Sequence, residues 1–121
     1  MTVLADTSIW VDHLRSGDEA LAGLLGDGRV LMHAFVRGEL ACGQLRNRAE
    51  VLALLDNLDL AVKATDAEAT TFIERHRLMG QGIGLIDVHL LAATALTPDA
   101  RLWTRDKRLH QIALEMDLAA N

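Results

Sequence analysis

Leu85-Ile86-Asp87-Val88-His89-Leu90-Leu91-Ala92-Ala93 is the stretch on which the reading of this chain turns. It is apolar nearly all the way round, which predicts a short, buried helix. It opens, however, on a carboxylate, Asp87. A buried carboxylate is costly unless it is paired, hydrogen-bonded or bound to a metal. What satisfies Asp87 is therefore the question that organises the rest.

Downstream, the helix stops before Pro98, which cannot continue it. Arg101 to Thr104 reads as a strand, and Asp106 caps a helix from Lys107 to Met116. Asp117 to Ala119 is a candidate final edge strand. Upstream lies the loop Gly80-Gln81-Gly82-Ile83-Gly84, and before it a helix capped by Thr65 or Asp66 and running to about Met79. The chain begins with an apolar strand, Thr2 to Ala5, halted by the capping residues Asp6-Thr7-Ser8. A helix through Ile9, Trp10, His13 and Leu14 follows, to a break at Ser16-Gly17. A second spans Asp18 to Leu25. Arg29 to Met32 is the second strand, and helices are expected over Ala34–Leu45 and Arg48–Leu58, the latter with Val51, Leu52 and Leu55 inward. Leu60 to Val62 is the third strand.

Strands thus alternate with helices throughout. That order predicts an α/β fold: a parallel sheet of four to five strands, covered on both faces. With 121 residues and no repeat, linker or low-complexity segment, one domain over 1–121 is expected.

Composition narrows the function. Half the residues are hydrophobic, and the core is aliphatic because only Trp10, Trp103, Phe35 and Phe72 are aromatic. The one cysteine, Cys42, precludes an internal disulfide, fits a reducing compartment and is expected as a core thiol. No apolar run is long enough for a bilayer, and the N-terminus meets Asp6 without a basic segment. A soluble cytoplasmic protein is expected. The net charge of −5 argues against a passive nucleic-acid binder. It argues less against an enzyme whose acids are offset by bound cations.

In a parallel sheet, ligands bind outside the carboxyl ends of the strands. Asp6 directly follows the first strand, Asp106 lies just past the fourth, and Glu39 follows the second. Asp87 opens the helix that returns to the fourth, so it too starts at that edge. Glu39 also falls between Phe35, Val36 and Cys42 on a helical projection, which predicts an acid on an apolar face. Singly, Asp6 and Asp106 are ordinary helix caps, and Asp87 suits a helix N-terminus. Together, the four suit a hard cation, Mg²⁺ or Mn²⁺, without Cys or paired His. Such a cation activates water against a phosphodiester. Asp6 and Asp87 would ligate directly, Glu39 and Asp106 would complete the set, and Ser8 and Thr104 would orient the carboxylates.

The same residues carry a resemblance. Val3-Leu4-Ala5-Asp6-Thr7-Ser8-Ile9-Trp10 resembles the opening of PIN-domain proteins, specifically VapC-type toxins of toxin–antitoxin pairs. Gly38-Glu39-Leu40, Gly84 to Ala92 and Leu102 to Leu109 resemble their second, third and fourth acidic motifs, in order and across nearly the whole chain. The resemblance implies a three-layer α/β/α sandwich and a Mg²⁺- or Mn²⁺-dependent endoribonuclease that hydrolyses RNA. It implies catalytic and metal-binding roles for Asp6, Glu39, Asp87 and Asp106. It further implies a homodimer, and a cognate antitoxin whose C-terminal segment wraps the toxin and reaches the site.

Among the remaining residues, Arg37, Arg46, Arg48, Arg105, Lys107 and Arg108 are candidates for RNA phosphates, Lys107 and Arg108 foremost. Gly80-x-Gly82-x-Gly84 follows a helix rather than a strand, so it reads as a helix C-cap and turn and not a dinucleotide loop. The histidines lack metal-ligand spacing, and His89 is expected as a hydrogen-bonded core residue. Trp10 and Trp103 are expected in the core. Two rival readings remain. A receiver-like phosphoacceptor needs an aspartate at the end of a central third strand, where this chain has Val62-Lys63-Ala64. A non-catalytic PIN-like interaction module has no need of four acids at one edge.

Overall fold

The computed structural model describes residues 1–120. Its elements in chain order are β1 (Thr2–Ala5), α1 (Thr7–Ser16), α2 (Glu19–Gly26), β2 (Val30–Met32), α3 (Ala34–Cys42) and α4 (Arg48–Asp56). They continue with β3 (Asp59–Leu60), α5 (Asp66–His76), α6 (Leu85–Leu96), β4 (Ala100–Trp103) and α7 (Lys107–Glu115). The four strands form one parallel sheet in the order β3-β2-β1-β4. The expected fifth strand is reduced to a single parallel bridge, Ala119 to Leu102.

The chain steps from β1 to β2 to β3 in one direction, then crosses back past β1 to reach β4. Because such crossovers are right-handed, the two directions put helices on opposite faces. Helices α1 to α4 cover one face and α5 to α7 the other, giving the three-layer α/β/α sandwich. The contacts agree: α1 packs on α3 and α3 on α4, while α5 packs on α6, and α6 and α7 on β4.

Helix α6 is the inner helix of its layer. Seven consecutive residues, Val88 to Thr94, are buried. Burying a leucine such as Leu90 or Leu91 contributes about 2 kcal/mol. Thr94 is tolerated there because its hydroxyl donates to Leu90 O (2.8 Å). The first turn departs from expectation, since Leu85 and Ile86 are exposed.

Several ends fall short of their expected positions, each for a local reason. Helix α3 stops at Cys42, where Arg48 donates to Ala41 O (2.5 Å) and Gly43 O (3.1 Å), closing the last turn. Cys42 is exposed and not a core thiol. Strand β3 ends at Leu60 because Val62 N turns away to donate to Thr97 Oγ1 (2.8 Å). Helix α5 ends three residues before Met79. Arg77 adopts φ 53°, Leu78 N donates to Ile73 O (3.0 Å) and Arg77 N to Glu74 O (3.4 Å), and Leu78 enters the core. This is a Schellman closure, so Arg77 and not Gly80 caps the helix.

Two histidines are buried beneath the carboxyl edge, His33 at 1% and His89 at 2% exposure, with Phe35 packed against both rings. His33 Nδ1 accepts from Phe35 N (3.0 Å) and so caps α3. His89 is a core residue as expected, but its Nδ1, like His33 Nε2, has no hydrogen-bond partner among the described residues. Burial, then the nearby His89 and Lys63, hold His33 down from 6.5 to about 4. Protonation at Nδ1 would also break the cap.

His33 therefore stays neutral in the folded chain at pH values where the unfolded chain binds a proton. Stability must fall as pH drops from 6.5 toward about 4, by up to about 3 kcal/mol in total. Urea titrations across this range should show that slope, and His33→Asn, which keeps a capping oxygen, should flatten it. An unchanged slope in the variant would refute this source of acid sensitivity.

Candidate functional site

The site begins with a register. Strands β1 and β4 pair so that Ala5 lies opposite Trp103. The residues that follow, Asp6 and Thr104, therefore emerge side by side at the carboxyl edge, and Asp6 N donates to Trp103 O (3.0 Å). This is also where the strand order reverses, the point at which open α/β sheets form a crevice.

Asp6 is 7% exposed and caps α1. Its Oδ1 accepts from Ser8 N (3.0 Å), Ser8 Oγ (2.5 Å) and Ile9 N (3.3 Å), and its Oδ2 accepts from the Thr104 hydroxyl. A carboxylate offers about four accepting directions. Three donors crowd Oδ1 and one meets Oδ2, so Oδ2 retains room for a further partner. Ser8 and Thr104 thus orient this carboxylate as the sequence suggested. Thr104 does more: its Oγ1 also accepts from Asp106 N (3.0 Å). One hydroxyl ties the Asp6 carboxylate to the backbone of Asp106. The Asp106 side chain is exposed and caps α7 through Leu109 N (2.9 Å).

Asp87 stands in the first turn of α6, half-buried, with Oδ2 accepting from Gly84 N (3.3 Å). Its carboxyl is pushed above the ordinary range, first by burial. The Gly84 N–H opposes this, and the negative charges of Asp106, Asp6 and Glu39 add to it. All three other acids therefore act electrostatically on Asp87.

Glu39 differs from expectation. It is exposed rather than on an apolar face. The buried stripe of α3 runs through Val36 and Leu40 alone, because Phe35 is only half-buried and Cys42 is exposed. What positions Glu39 is Thr7, whose hydroxyl donates to Oε1 (2.6 Å). From the sequence Thr7 is expected only as a capping residue. Thr7 stands in the first turn of α1, the helix that packs on α3.

The donor set is all oxygen and its field is negative, which fits a hard divalent cation. Among the described residues, no group of three or more His, Cys, Asp or Glu side chains is placed to hold a metal ion. Mg²⁺ does not need such a group, since it binds through one or two carboxylates and keeps waters or takes substrate phosphates.

The nearby cations sort clearly. Arg37 is committed to Asp56, with Nε to Oδ1 at 2.5 Å, and Arg48 to the end of α3. Arg105 is committed to Asp12 and Asp18. Arg46, Lys107 and Arg108 form no ion pair among the described residues. A groove of about 680 Å³ opens beside Glu39, lined by Val11, Leu14, Arg15, Leu40, Arg46 and Val51 among others.

The fold and the site can be set beside known proteins. A family model described as the PIN domain matches residues 3–115. The chain is 44% identical over 117 residues to Ribonuclease VapC32 of Mycobacterium tuberculosis, in strain CDC 1551 / Oshkosh and in strain ATCC 25618 / H37Rv. The match covers 97% of this chain and 94% of each relative. With the three-layer sandwich and the ordered acids already described, the chain belongs to the PIN-domain family, among its VapC-type members.

Proposed function

We propose that this chain is a Mg²⁺- or Mn²⁺-dependent endoribonuclease and the toxin of a VapBC-type toxin–antitoxin pair, acting as one domain in the cytoplasm. The observation that carries this reading is Asp87, a half-buried acid on which three other acids act. A divalent cation is the partner that relieves that repulsion. Relatives named ribonucleases, alike over almost their whole length, supply the substrate class.

In this reading Asp6 and Asp87 hold the cation, with Glu39 and Asp106 completing its surroundings. When bound, a divalent ion supplies Lewis acidity toward a phosphodiester and a readily deprotonated water. The chain contributes geometry. Ser8 and Thr104 hold the Asp6 carboxylate, Gly84 N holds Asp87, and Thr7 holds Glu39. Each carboxylate thereby meets its partner without reordering. Lys107 and Arg108, at the start of α7, suit RNA phosphates. The groove beside Glu39 suits an antitoxin segment, with apolar walls for its side chains and Arg15 and Arg46 at hand for its carboxylates. A homodimer is part of the same proposal. No helix among the described residues is long and apolar enough to cross a membrane.

The receiver-like alternative loses ground on topology. Strand β3 lies at the sheet edge, and the residues after it are Ala61, Val62 and Lys63. The interaction-module alternative is separated by activity.

Purified free of antitoxin, the protein should cleave structured RNA with Mg²⁺ or Mn²⁺ and stop in EDTA. Asp6→Asn or Asp87→Asn should lower the rate at least about a hundredfold, the scale of losing one charge-stabilising group. Cleavage that survives EDTA, or an Asp6→Asn protein as active as its parent, would contradict the proposal.

The raised carboxyl of Asp87 gives a second expectation. A carboxyl whose folded value is raised costs stability as pH climbs past its unfolded value of 3.8. At pH 7 without metal, Asp87→Asn should therefore melt at or above the parent's temperature. Mn²⁺ should raise the melting temperature of the parent and not that of the variant. A variant that melts lower in EDTA and still responds to Mn²⁺ would show that Asp87 serves the fold alone.

A further inference from the structure

Arg105 lies at the crevice edge between Thr104, which holds the Asp6 carboxylate, and Asp106. Its guanidinium is a fork across two elements. Nε meets Asp12 Oδ2 on α1 (2.6 Å), and Nη2 meets Asp18 Oδ2 at the start of α2 (2.8 Å). Asp18 keeps its other oxygen for Leu21 N (2.9 Å), so the ion pair does not compete with the α2 cap. The Arg105 backbone N donates to Ser8 Oγ (3.1 Å), the hydroxyl that in turn donates to Asp6. Its guanidinium also lies over the Trp103 ring, 5.9 Å from the centroid.

Exposed ion pairs of this kind contribute little to stability. With Nε and Nη2 both engaged, the side chain is also a poor phosphate ligand. What the fork does fix is a distance. It fastens the loop after β4, which carries Thr104 and Asp106, to the α1–α2 side, which carries Asp6.

We propose that Arg105 is a positioning residue that sets Asp106 and Thr104 against Asp6 across the crevice, and through them the affinity of the site for its cation. This rests on the proposed metal-dependent function, and the test separates the two. Mn²⁺ binding is measured by calorimetry on the purified full chain without RNA, alongside kcat and KM for RNA cleavage. Arg105→Ala should weaken Mn²⁺ roughly tenfold or more, the usual scale for a residue supporting a metal ligand. It should lower kcat while leaving KM within about twofold, because ground-state RNA binding is not what it serves. Arg105→Lys should stay close to the alanine variant, since one ammonium cannot span both carboxylates. Should Arg105→Ala fail to fold, the Asp12→Asn, Asp18→Asn double variant keeps Arg105 and an α2 capping oxygen, and should weaken Mn²⁺ in the same way.

Unchanged Mn²⁺ affinity in the folded variants, full rescue by lysine, or a raised KM at unchanged kcat would each overturn the role. Asp6→Asn is the reference. If it loses Mn²⁺ and Arg105→Ala does not, only the role of Arg105 falls. If it binds Mn²⁺ like the parent, the metal-site reading falls and takes this inference with it.

Discussion

Ala5 lies opposite Trp103 in the parallel pairing of β1 with β4, and the candidate site hangs from that register. Side chains alternate along a strand, so a slip of one residue would turn each to the other face of the sheet. In the observed register Asp6 and Thr104 leave the sheet together, and a single threonine hydroxyl reaches both Asp6 and the backbone of Asp106. The strand order reverses at the same place, so the chains diverge there and leave a crevice. Asp6 and Asp106 are thus tied together where the topology opens.

Around that register the fold keeps polar groups under tension. Asp6 is buried and heavily hydrogen-bonded, whereas Asp87 is half-buried with one backbone donor and three acids acting on it. Beneath them His33 and His89 are buried with a ring nitrogen each unpartnered among the described residues. A chain selected for stability alone would put apolar side chains in such places. The proposed function accounts for the acids: a cation would offset their repulsion, and the apolar body of α6 fixes the helix that carries Asp87. The histidines stand outside that reading, and the burial of His33 is expected to cost stability in acid.

Much of this was legible in the residues. Thr2 to Ala5 followed by Asp6-Thr7-Ser8 is a buried strand meeting a helix cap, and both appear as read. The strand–helix alternation specified a parallel three-layer sandwich because parallel strands need crossovers that cover both faces. What failed were judgements resting on a helical stripe alone. Glu39 and Cys42 share a projection with Val36, but α3 ends early and buries a narrow stripe, so both are exposed. Helix and strand ends were set by long-range or non-helical partners: Thr97 for β3, Arg48 for α3, and the entry of Leu78 into the core for α5. Arg105 is one candidate phosphate contact among several in the sequence, and its ion pairs are not legible there because Asp12 and Asp18 lie far away along the chain.

The proposed function requires these acids to converge on one cation. Crystals grown with Mn²⁺ and measured for its anomalous scattering test it without recourse to RNA. The expected result is anomalous density bounded by the carboxylates of Asp6 and Asp87, absent in Asp87→Asn crystals. Density located elsewhere, or none at Mn²⁺ concentrations that support cleavage, would contradict it.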